Sequence, residues 1–105
     1  MKFKYRPSFD IPYKKQGLIY FTCLNFPHLT SEGQHKINNM CLEIGGKYYE
    51  PLFLAITTEE NIRAVALQYF LDESILWRLC KKFYQQWDRR DIEKHRRGRP
   101  RKESK

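Results

Sequence analysis

From Ser31 to Trp87 apolar residues recur every three or four positions, and each stretch of that period is bracketed by residues that start or stop a helix. A helical period cannot be laid flat on a sheet, so the expected fold is all-α, a small bundle of about five helices. Ile37, Met40, Cys41 and Ile44 share one face, Ser31 and Gln34 have the spacing of a capping box, and Gly45-Gly46 end the run. Tyr49, Leu52, Phe53 and Ile56 mark a second helix, in which Pro51 is tolerable because it falls in the first turn. Thr57 with Glu60 suggests another capping box, opening a short helix through Ile62, Val65, Ala66 and Tyr69 that ends near Phe70. Asp72 can cap a longer helix striped by Leu76, Leu79, Cys80, Phe83 and Trp87 and running to about Lys94.

The first third is less regular. Met1 to Pro12 hold two prolines and the basic residues Lys2, Lys4 and Arg6 without helical period, which predicts an extended arm. Phe3, Tyr5 and Phe9 are costly to leave in water and are expected to pack onto the helices. Tyr13, Gly17, Tyr20, Phe21 and Leu24 fit a helix over Tyr13 to Leu24, although Leu18 to Thr22 also suits a strand. The expected organisation is an arm over 1–12, a helical domain over 13–94 and a tail over 95–105. At 105 residues, 41% of them hydrophobic, the chain has enough for one small core.

Charge is concentrated at the two ends. The net charge is +8, but residues 1–15 carry five Lys or Arg against one acid, residues 16–88 six against eight, and residues 89–105 nine against three. A near-neutral middle with cationic ends suits arms that grip phosphate, so double-stranded DNA is the leading partner. Cys23, Cys41 and Cys80 are odd in number and widely spaced, and no apolar segment resembles a signal peptide or reaches membrane-spanning length. The expected protein is soluble, cytoplasmic and reduced, with no metal or other cofactor. Without a phosphate-binding glycine loop, paired carboxylates or a metal cluster in the sequence, it is not expected to be an enzyme.

Residues Val65 to Leu79, VALQYFLDESILWRL, resemble the helix-turn-helix of resolvase-type and sigma-factor region 4-type DNA-binding domains. Ala66 takes the small-residue place in the first helix, Leu71 plugs the turn, and Leu76 and Leu79 return to the core. Phe70 departs from the pattern, because the family prefers glycine at a left-handed turn residue; a longer or differently wound turn would remove the conflict. The resemblance implies that the second helix enters the major groove with Ser74, Trp77, Arg78, Lys81, Lys82 and Gln85 outward. Arg78 then suits guanine, Ser74 or Gln85 a base or phosphate, and Lys81 and Lys82 phosphates, whereas Asp72 and Glu73 oppose close approach unless they serve as helix cap and cytosine acceptor. Trp77 by itself is better placed as a wedge against the core than on a base.

The tail HRRGRPRKESK closely resembles an AT-hook, in which Arg97-Gly98-Arg99-Pro100, flanked by Arg96, Arg101 and Lys102, lies along the minor groove of A·T-rich DNA; the alternative is an unspecialised basic tail that adds phosphate affinity alone. More faintly, residues 8–87, with QGLIYFTC and the GG-x-Y-Y stretch, resemble small helix-turn-helix proteins of prophages and conjugative elements. Together these imply a transcriptional or mobile-element regulator associated with the nucleoid; one short module rarely gives enough affinity, which favours a homodimer. The competing expectation is a plain helical hairpin in a protein-interaction bundle, such as a sigma-like adaptor touching RNA polymerase or a phage packaging component, tethered to nucleic acid by its tail.

Overall fold

A computed structural model describes residues 3–87, and within them the chain is all-α. The expected run of the last helix to Lys94 and the whole tail lie outside the described residues. The helices are α1 (Tyr13–Leu24), α2 (Ser31–Gly45), α3 (Tyr49–Thr57), α4 (Ile62–Gln68) and α5, helical over residues 73–87. No helix among the described residues is long and apolar enough to cross a membrane. α3 is packed against α1, α2 and α4. The core runs through Ile19, Cys23, Ile37, Met40, Cys41, Leu52, Val65, Leu76 and Phe83, all sealed from solvent.

The arm is not simply extended. Pro7–Phe9 form one 3-10 turn that closes on Asp10, whose φ of 59° and N–H bond to the Pro7 carbonyl at 3.0 Å reverse the chain. That reversal drives Phe9 and Ile11 into the core. The arm is pinned by Gln16, which is buried on α1. Its Nε2 donates to the carbonyls of Arg6 (2.8 Å) and Ile11 (3.1 Å), and its Oε1 accepts from the Arg6 N–H (3.0 Å).

This polar clamp sets the buried face of α1. The inner row is Gln16, Ile19 and Cys23, while Tyr13 and Phe21, expected on the apolar stripe, are 62% and 42% exposed. The helix is therefore rotated from the expected face, because an amide that satisfies three backbone groups can be buried at little cost.

Two caps also differ from expectation. Thr30 caps α2, its Oγ1 accepting from the Gly33 N–H at 3.2 Å, and Gln34 reaches the Phe26 carbonyl instead of closing a box with Ser31. Thr57 belongs to the last turn of α3, where its hydroxyl donates to the Phe53 carbonyl; Asn61 caps α4 by accepting from the Ala64 N–H at 2.8 Å. Asp72 holds its expected place, its Oδ1 accepting from the Ser74 N–H at 3.1 Å. Between α2 and α3, Gly46 adopts φ 55°, ψ −119°, which a side chain resists. At Gly45 a Cβ would stand 3.2 Å from Leu52, so the glycine lets α3 approach closely. Lys36 on α2 places its Nζ 4.1 Å over the Trp87 ring, tying the end of α5 to the bundle.

Candidate nucleic-acid interface

α4 and α5 are joined by the turn at residues 69–72, and its hydrogen bonds define how the two helices meet. The Leu71 N–H donates to the Ala66 carbonyl at 2.8 Å and the Phe70 N–H to the Leu67 carbonyl at 3.2 Å, the paired bonds of a Schellman C-cap. Phe70 stands at the left-handed position with φ 57°. The turn is thus wound in the left-handed way despite the phenylalanine, and no lengthening relieves it. Its side chain is 95% exposed, so it meets no clash beyond its own backbone. Ala66 is buried, Leu71 packs against the core from the turn, and Leu76 is fully buried.

On α5 the expected interface residues fall into two rows. Ser74, Arg78 and Lys82, spaced by four, are exposed. Trp77, Lys81 and Gln85, also spaced by four, are half-buried, and the arm covers the two ends of that row. The Arg6 guanidinium lies 4.2 Å from the centroid of the Trp77 ring, the Phe9 ring meets Trp77 edge-on at 6.2 Å, and Gln85 Nε2 donates to the Phe9 carbonyl at 3.0 Å. Trp77 Nε1 in turn donates to Glu73 Oε2 at 3.1 Å. For Gln85 to reach a base it must first release Phe9. The structure therefore brings Ser74, Arg78 and Lys82 together on a free face, with exposed Asp72 and Glu73 at its start. Arg96, Arg97, Gly98, Arg99, Pro100, Arg101 and Lys102 lie outside the described residues.

The arm's aromatics pack on the helices as expected, but the clasp in which Gln16 of α1 holds the arm so that Arg6 and Phe9 cover the flank of α5 was not foreseen. The one signal was Gln16 itself, a polar residue in register with Ile19 and Cys23.

The three thiols are buried and unpaired. Burial pushes Cys41 and Cys80 up from 9.0 to about 12, and Cys23 rises as well, so all three are held as thiols. Among the described residues no three His, Cys, Asp or Glu side chains gather in a way that could hold a metal ion. Comparison with protein-family models, with characterised proteins and with solved structures finds no match to this chain.

Proposed function

We propose that the protein reads double-stranded DNA, with α5 in the major groove and the basic tail along the minor groove or the phosphates. The observation that carries this is the Ser74, Arg78 and Lys82 row, exposed and presented from a helix that follows a tightly capped turn. In this reading Arg78 takes the base contact, Lys82 and the half-buried Lys81 take phosphates, and Ser74 serves either. Trp77 and Gln85 become supports that hold the arm against α5. The chain has no catalytic role in this account and acts as a regulator, with the mobile-element setting carried only by its sequence resemblance.

A second reading is favoured by a specific observation. Phe70 and Leu67 are 95% and 71% exposed, one turn apart, beside the carboxylates of Asp72 and Glu73. An exposed apolar pair flanked by acids suits a protein partner better than a phosphate backbone.

The test is a set of gel shifts with the full chain on A·T-rich and G·C-rich duplexes and on a duplex recovered by selection from random sequence. Arg78→Ala should cost about 1–3 kcal/mol on the selected duplex and relax base preference. Neutralising the arginines of 96–101 should weaken binding to all duplexes and flatten its salt dependence. Equal affinity of the native chain and the Arg78 variant for every duplex would refute base reading.

A further inference from the structure

A cavity of about 550 Å³ opens between the arm, α1, residues 58–61 and α5, within the size range of small-molecule sites. Its rim is exposed and carries both signs: Lys4 and Arg63 against Glu59, Glu60 and Glu73. Its interior is mixed: the half-buried rings of Phe3, Tyr20 and Trp77 stand beside polar groups, over a floor of buried Phe9, Ile56 and Ile62.

The polar groups inside sort by whether they are already engaged. Gln16 spends its amide on the arm, and the Thr58 hydroxyl donates to the Leu54 carbonyl and accepts from the Glu60 N–H. The Arg6 guanidinium and the hydroxyls of Tyr20 and Tyr84 have no hydrogen-bond partner among the described residues. Tyr84 is only 9% exposed, yet its oxygen is not sealed in the core, so it opens to the cavity that the residue lines. Arg6 lowers the pKa of both Tyr20 and Tyr84 against the larger effect of burial, which places its charge within electrostatic reach of both phenols.

Guanidinium and phenol groups are hydrogen-bond donors, and aromatic rings line the cavity beside them. We propose that this cavity binds a small organic acid, its carboxylate received by Arg6 and Tyr84 and its flat apolar body by the half-buried rings of Phe3 and Tyr20. Three carboxylates at the rim repel a dianion such as phosphate about twice as strongly as a monoanion, and a monoanion on an apolar body offsets the smaller repulsion by burying that body. The walls belong partly to the arm and partly to α5, so an occupied cavity ties the two together. The site stands without the DNA reading; only a coupling of ligand to DNA affinity would rest on it.

Titration calorimetry on the full chain tests this with indole-3-acetate as probe, against the neutral indole-3-ethanol and against inorganic phosphate. The acid should bind saturably at one site with a Kd of about 1 mM or below, as expected for so small a ligand. Tyr84→Phe removes a hydroxyl with no protein partner, so the melting temperature should hold while acid affinity falls about tenfold, the loss of one charge-assisted hydrogen bond. Arg6→Gln should weaken the acid by at least as much. No saturable heat up to about 10 mM acid, an equal affinity for the alcohol, competition by phosphate, or an unchanged Tyr84→Phe affinity would each overturn the proposal. Because none of these readouts contains DNA, their failure leaves the gel-shift result standing, and the reverse also holds.

Discussion

The Arg6 guanidinium lies 4.2 Å from the centroid of the Trp77 indole, and through that contact the arm is joined to α5 some seventy residues later in the chain. Gln85 repeats the link with its 3.0 Å bond to the Phe9 carbonyl, and Gln16 anchors the same arm to α1. A stretch with no periodicity thereby becomes part of the core and decides which face of α5 meets solvent.

The clasp predicts an order of mutational costs. Gln16→Leu keeps the volume but strips partners from three backbone groups, two of them on Arg6, and should cost about 2–4 kcal/mol. Arg6→Ala removes a half-buried cation from the Trp77 ring together with its packing, and should cost only about 1 kcal/mol. Urea unfolding measures both, and Trp77 fluorescence should shift in both variants. A Gln16→Leu variant as stable as the native chain would mean that the arm is not held as described.

Phe70 predicts a gain. At φ 57° a side chain strains its own backbone, and this one recovers little by burial because it is 95% exposed. Phe70→Gly should therefore stabilise the protein by roughly 1 kcal/mol, the reverse of the usual effect of a glycine. Thermal unfolding reads this directly. If the variant is stabilised and still binds DNA as the native chain does, the phenylalanine is not needed for groove reading, and its exposure belongs with the protein-partner reading.

The buried thiols predict a loss of stability in alkali. Each thiol titrates higher in the folded chain than in the unfolded one, so its contribution is complete below pH 9.0 and is lost as pH rises toward about 12 for Cys41 and Cys80. Within that window each of the two should remove about 1.4 kcal/mol per pH unit, and Cys23 adds to the decline. Urea midpoints at pH 8 and pH 10 check the slope. Substituting Cys80 by Ala should make it shallower.

Much of the helical half was legible because period, start and stop signals coincide there. The spans of α1, α2 and α3 agree with the sequence reading, as do the cap at Asp72 and the buried stripe through Leu76, Cys80, Phe83 and Trp87. Caps were less legible: Thr30 and Ser31 stand side by side, as do two threonines shortly before Asn61, and propensity alone does not choose between neighbours of the same chemistry. The inner face of α1 was misread because hydrophobicity ranks Gln16 last, whereas its three hydrogen bonds to the arm make it the residue to bury. The turn at Phe70 was misread for a related reason. Steric preference disfavours a left-handed phenylalanine, but the two C-cap hydrogen bonds and the seating of Leu71 impose that geometry on whichever residue stands there. Of the six candidate residues on α5, spacing alone did not separate the free row from the clasped one, because what separates them lies at the other end of the chain.

The most direct measurement is a backbone-amide NMR titration of the full chain with the selected duplex. Base reading by α5 predicts that the largest shifts and broadening fall on Ser74, Arg78 and Lys82 and their neighbours, together with the tail. Perturbations confined to residues 89–105, with α5 unmoved at saturation, would contradict the account and leave the tail as a tether.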